Sequence, residues 1–295
     1  MKKLIALGLI TCTGALTGCL GSSDNDKDTS ENTQRDITIN FAAEVNGQPF
    51  ACDTTFGGLG TASSSASFTD YRIYLHGVKL IDAEGNRHDV ALINDGVWQT
   101  DEVALLDFET GDGSCTGTAE TNMQIKGRVA SGNYVGLEFG VGVPGQLNHQ
   151  DSAVAASPLN ISGLFWRWQS GYKHARIDVA LETPYTYIDG EGVEQVSNQW
   201  FFHLGGTDCS GDPTTGEEVT CGNPNRPTIT LADFDIEANK VTVDYGRLMS
   251  DSDLSTSTPL PFGCMSGVTD PDCAGPFANI GLTDSAQTFF GKGTL

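Results

Sequence analysis

Five histidines and sixteen lysines and arginines stand against 38 carboxylates in 295 residues. The shortage of basic residues leaves a formal charge of −22. A surface of that sign repels phosphate backbones, which excludes nucleic acid as a partner. The histidines, at 76, 88, 149, 174 and 203, show no HExxH, HxH or HxxxH spacing. Any metal would have to collect ligands from distant strands. GxSxG is missing, and "ASGN" and "MSGV" read only as turns. "FGGLG" lacks the lysine and the helix of a phosphate loop. Without a CxxC there is no cysteine zinc site. No DxDxDG-type calcium loop occurs either, so acidic loops such as "DFETGDG" are expected to hold calcium only weakly. No pair of carboxylates stands out for glycoside chemistry.

Long apolar runs are also lacking. "LIALGLITCTGAL" is too short to cross a bilayer, but after "MKK" and before "LTGC" it has the layout of a secretory signal, residues 1–19. Small residues before Cys19 match a bacterial lipobox, in which the cysteine carries the lipid. Leu20 follows rather than Asp, so the expected location is the outer membrane, facing the periplasm or the outside. Residues 20–36, beginning "LGSSDNDKDTSENTQRD", read as a disordered tether. A domain over 37–295 remains, long enough for a large core.

Cys52, Cys115, Cys209, Cys221, Cys264 and Cys273 are left once the signal is removed and Cys19 is lipidated. An even number in an exported chain implies disulfides, with fifteen pairings open. Cys209 and Cys221 flank a turn-rich loop, as do Cys264 and Cys273, so both pairs close easily. Cys52 with Cys115 follows by elimination.

Strand-like alternation dominates after residue 37: "ITINFAAEV", "YRIYLHGVKLID", "NYVGLEFGVGV", "KHARIDVAL", "NQWFFHLGG", "KVTVDYG". The best helical candidates are "TDEVALLDFE" and "DSAVAAS", both short. The expectation is an all-β chain, an antiparallel β-sandwich or open barrel with long loops, stapled by disulfides and closed by a stapled C-terminal flap. "LFWRWQSGYKH" sets Trp166 and Trp168 one residue apart, which on a regular strand puts both indoles on one face. From the residues alone, core packing is the leading reading of that pair. On the same footing, a metal-free structural or adhesive surface lipoprotein remains the alternative function.

The strings "VGVPGQLNHQD", "AASPLN", "LFWRWQSGYKHARID" and "WFFHLGGTDC", with "ALLDFE" and the later "GCMSG" and "DPDCAG", carry more. Together they resemble the MbnP-like family, periplasmic copper-binding proteins associated with methanobactin operons and also known as four-cysteine metallo-mystery pair proteins. The resemblance covers roughly residues 37 to 283. It implies a copper carrier, not an enzyme, that binds one copper ion. It further implies that a tryptophan is oxidised to kynurenine by a partner, a MauG-like di-haem cytochrome c peroxidase. Carried over by motif, His149 in "LNH" and His203 in "HLG" are the expected copper ligands, with His76 the third; three imidazoles suit copper in either oxidation state. Trp166 and Trp168 are the kynurenine candidates, ahead of Trp98 and Trp200. His174 is left as a strand residue and His88 as a solvated one. The family pattern of four cysteines is assigned to Cys209, Cys221, Cys264 and Cys273, with Cys52–Cys115 as an additional staple.

Overall fold

Alternation becomes strand, and β1 (Gln34–Val45) does so most regularly. Ile37, Ile39, Phe41, Ala43 and Val45 turn into the core while their neighbours face outward. The strand starts at Gln34 rather than at the expected boundary of 37, because Gln34 to Asp36 pair with Ala130 to Arg128. Arg128 Nε also reaches Asp36 Oδ1 at 2.8 Å. The computed structural model describes residues 33–295, except residue 168, residues 259–261 and the side chain of residue 214. The signal, Cys19, the tether as far as residue 32, and Trp168 therefore lie outside the described residues.

β2 (Ser64–Asp82) is the spine of the larger sheet. β3 (Val103–Asp107) pairs with it, His76 to Arg72 opposite Val103 to Asp107. This is the "VALLD" of the expected helix "TDEVALLDFE". All five residues are buried, and a strand covered on both faces shows a continuous apolar run instead of alternation. "DSAVAAS" likewise forms turns closed by Asp151. β4 (Gln124–Ala130) pairs with β1, and β5 (Tyr134–Val141) with β2.

A long loop then leads to the short β6 (Phe165–Arg167), which pairs irregularly with β7 (Gly171–Ile188). β7 lies between β2 and β8 (Glu194–Gly205). A separate hairpin, β9 (Thr207–Ser210) and β10 (Thr220–Asn223), follows. β11 (Thr228–Ala232) extends the larger sheet beside β5. β12 (Asn239–Asp244) joins β1, β13 (Gly263–Cys264) joins β8, and β14 (Phe290–Thr294) joins β12.

The larger sheet runs β11–β5–β2–β7–β8–β13 and the smaller β14–β12–β1–β4. The chain is all-β, a curled open sheet with half-barrel form. Two pairings, β1 with β12 and β8 with β13, depart from the antiparallel expectation and run parallel. Both return the C-terminal region to strands laid down much earlier. Side chains from the two sheets, such as Phe41 and Phe139, share one apolar core.

Three disulfides close the chain: Cys52–Cys115, Cys209–Cys221 and Cys264–Cys273. The last ties β13 to the helix Ala274–Ile280. The expected C-terminal flap is thus an ordered part of the sheet system.

Candidate functional site

β8 decides what faces the site. Trp200, Phe202 and Leu204 point into the apolar core, and Trp200 Nε1–H donates to Thr256 O at 3.3 Å. Alternation sends Phe201, His203 and Gly205 to the other side. There the His203 ring stacks on Phe201, with centroids 5.4 Å apart and an interplanar angle of 18°. The Trp166 indole tilts against the same imidazole at 6.4 Å. Gly205 is what admits the indole. A side-chain carbon at Gly205 would collide with Trp166 Cζ3 and press on Tyr172 O at 2.9 Å. In "HLGG" the glycine after the leucine is thus a packing requirement of the tryptophan.

Beneath this pair lies a charged ladder across three strands. Register sets Arg72 opposite Arg176 and Arg176 opposite His203, and sets Asp70 opposite Asp178. Arg72 is clamped on Asp70. Arg176 bridges Asp178 Oδ2 at 2.7 Å and Asp70 Oδ2 at 3.2 Å. Asp178 Oδ1 accepts from His203 Nε2–H at 2.7 Å.

Burial lowers the His203 pKa, against the pull of Asp178. Burial by itself would raise Asp178, but His203 and Arg176 outweigh it and hold the carboxyl low. The two directions agree: a neutral imidazole donates from Nε2 to an ionised carboxylate. The Nδ1 lone pair is then available, which is the tautomer and support found behind metal-bound histidines. Copper therefore fits His203 by donor chemistry. Lys173, above the ladder, donates to Gly163 O at 3.0 Å, and burial with nearby Arg176 pulls its pKa down to about 8. Asp107, at the far edge, is pushed up to about 8 by burial.

The backbone of His203 and Gly205 is braced from the C-terminal region. Ser266 Oγ–H donates to His203 O at 2.8 Å, and Gly205 N–H donates to Ser266 Oγ at 2.8 Å. Asn225 Nδ2 donates to Gly205 O at 2.9 Å. The "CMSG" string thus clamps the strand that carries the site.

His149 stands elsewhere, at the wall of a cavity of about 560 Å³ that Glu217, Glu218, Cys221 and Arg226 also line. Its Nε2 lies 3.2 Å from Asn148 Nδ2 and 3.7 Å from Cys221 Sγ. Asn148 is fixed where Tyr172 N–H donates to its Oδ1 at 3.1 Å. His76 faces a neighbouring cavity of about 490 Å³. Its Nδ1–H donates to Gly142 O at 2.9 Å, which leaves Nε2 with its lone pair, and burial lowers its pKa.

The three expected ligands are not gathered in one cluster. Among the described residues, the one set of three His, Cys, Asp or Glu atoms within 4.8 Å of one another is His149, Cys209 and Cys221. The two sulfurs there form a disulfide, which supplies no thiolate. Trp98 is half-buried and packs on a small apolar cluster beside Leu159 and Leu164.

His174 is fully buried and has no ring nitrogen to spare. Nδ1 accepts from Val143 N–H at 3.2 Å and Nε2–H donates to Pro224 O at 3.1 Å. Burial brings its pKa down to about 3. Gly142 makes room for this ring, since a side-chain carbon there would lie 2.5 Å from His174 Cγ.

His88, read as solvated, instead pairs with Asp82 at 2.8 Å and meets Tyr134 edge-on. In the loop "DFETGDG", Glu109 accepts backbone N–H groups of Gly111, Gly117 and Thr118, and Asp107 accepts from Glu109 N–H. Those carboxylates serve their own backbone.

In the sequence, Asp178, Arg176 and Asp70 carry no signal beyond their charge within apolar strands. Ser266 and Asn225 lie in loops and carry none.

The family model described as MbnP matches residues 34–266. The solved structure of MbnP from Methylosinus trichosporium is similar, at 31% identity and a TM-score of 0.79, covering 89% of this chain and 99% of that one. No curated protein matches the chain.

Proposed function

The chain belongs to the MbnP family, and from that premise we propose that it is a periplasmic, methanobactin-associated copper carrier without catalytic activity of its own. Its copper lies beside Trp166, with His203 as the leading ligand. Trp166 is the residue that a MauG-like di-haem peroxidase oxidises to kynurenine. The signal and Cys19 anchor the protein by lipid to the outer membrane.

The observation that carries this reading is the contact between Trp166 and His203. Among the described residues, the His203 ring is the one that lies against the candidate Trp166, with centroids 6.4 Å apart. An indole is electron-rich and loses an electron to a distant oxidant more readily than its aliphatic neighbours. Trp166 packs against the imidazole yet is only half-buried, which leaves it within reach of a docking partner. Trp200 is a poorer target, because it is sealed in the core. When bound, copper supplies a redox-active, imidazole-preferring centre. The protein's part is to hold His203 neutral and oriented through Asp178, and to keep the indole against it.

Copper titration of the mature protein, purified with and without the di-haem partner, tests the reading. One copper per chain is expected after co-expression, with a strong loss in His203→Ala. Copper binding that survives His203→Ala would contradict it.

A further inference from the structure

The three disulfides are not alike. Cys52, Cys115, Cys264 and Cys273 are all buried, between 0 and 6% exposed. Cys209 and Cys221 are half-exposed and sit on the hairpin β9–β10, outside the apolar core. Cys221 lines the larger cavity, so a reagent reaches this bond from solvent. His149 stands on the same bond, 3.7 Å from Cys221 Sγ, and all three donor atoms lie within 4.8 Å of one another.

We infer that Cys209–Cys221 is a redox gate, whose reduction creates a second copper site for Cu(I) from Cys209, Cys221 and His149.

The step is an ordinary exchange with a dithiol reductant, the class of a thioredoxin-like periplasmic protein. One thiolate of the reductant attacks a cysteine sulfur, the Cys209–Cys221 bond breaks and a mixed disulfide forms. The second thiol of the reductant then resolves it. Two electrons and two protons end on Cys209 and Cys221, and the reductant leaves as its own disulfide. Cu(I) binding then displaces the two thiol protons. Two thiolates and one imidazole are a soft donor set, which favours Cu(I) over the harder divalent ions.

The scaffold keeps the donors in place after the bond is broken. Cys209 and Cys221 are a cross-strand pair, with Cα atoms 3.8 Å apart, flanked in the ladder by Ser210 opposite Thr220. The feet of the hairpin are pinned, as Thr207 Oγ1 and Asn225 Nδ2 both donate to Ser266 O at 3.3 Å. His149 follows the anchored Asn148. Gly206 lies beneath the bond, where a side-chain carbon would come within 3.0 Å of Cys221 Sγ. Reduction therefore releases two thiols without exposing apolar surface.

The choice of metal rests on the copper reading above, but the gate stands or falls by its own measurements. The mature protein is treated with dithiothreitol under native conditions, alkylated and mapped by mass spectrometry. Label on Cys209 and Cys221 ahead of the other four cysteines is expected; label that does not favour them overturns the gate. Oxidised and reduced protein are then titrated with Cu(I) against a chromophoric chelator. The reduced form should take one further equivalent. His149→Ala should weaken that equivalent by about tenfold or more, since loss of even a supporting partner of a ligand costs ~10–100-fold.

Alkylation of the two thiols in the unsubstituted protein should abolish the extra equivalent, which avoids any folding defect of Cys209→Ser with Cys221→Ser. No added equivalent on reduction, or one that alkylation leaves intact, overturns the proposal. If the oxidised protein binds no copper while the reduced protein gains one, the Trp166 site is wrong and the gate is right. The opposite pattern has the opposite meaning.

Discussion

His174 and His203 lie on adjacent strands of one sheet, both almost fully buried, and their surroundings assign them opposite chemistry. Around His174 the backbone takes both ring nitrogens, through Val143 N–H and Pro224 O. Around His203 a carboxylate takes one nitrogen, and a half-buried indole lies against the ring. Burial lowers the pKa of both. Burial and titration therefore do not separate a structural histidine from a ligand. What separates them is whether a lone pair is left, and what stands next to it.

The widest divergence between the two should appear in acid. Above about pH 6.5 His174 is neutral folded or unfolded; below that, only the unfolded chain takes its proton until about pH 3. Stability should fall as pH drops through that window, by roughly 4–5 kcal/mol from this group. Denaturant unfolding from pH 7 to 3 reads it, and His174→Gln should flatten the slope while leaving copper affinity unchanged. A loss of copper binding in that variant would make His174 a ligand like His203.

Next in size is His203→Ala, which should weaken copper by about a hundredfold or more, given that a supporting residue alone costs ~10–100-fold. Asp178→Asn keeps the hydrogen-bonding shape but removes the charge that orients the ring. Its expected cost is smaller, on the order of tenfold in copper affinity. Equal affinities for Asp178→Asn and the unsubstituted protein would reduce Asp178 to part of the ion-pair ladder.

The last change concerns the indole, and it acts on stability rather than on copper affinity. Gly205→Ala places a methyl where Trp166 Cζ3 sits, and overpacking of this kind costs about 1–3 kcal/mol. Thermal unfolding and tryptophan fluorescence should both shift. An unshifted emission would mean that the indole does not rest on Gly205.

Much of this architecture could be read in the sequence, though unevenly. Alternation in "ITINFAAEV" and "NQWFFHLGG" was sufficient for β1 and β8, because each strand has one apolar face. It failed for "VALLD", which is buried on both faces and so carries no period of two. Loop spacing was sufficient for the two short disulfides. His203 and Trp166 were legible only through motif resemblance. Their contact depends on a cross-strand approach over Gly205, and no local pattern encodes it. Asp178 was invisible for the same reason: its meaning comes from a register with β8 that only the folded sheet defines.

Peptide mapping after co-expression with the di-haem peroxidase tests the central claim, that Trp166 is the oxidised residue beside the copper histidine. Arg167 separates the two candidates, so trypsin places Trp166 at the end of one peptide and Trp168 at the start of the next. The peptide ending in Arg167 should gain an oxygen and lose a carbon, the mass signature of kynurenine, and the protein should then bind copper. The same change on the peptide beginning at Trp168, on one containing Trp98 or Trp200, or on none, would contradict it.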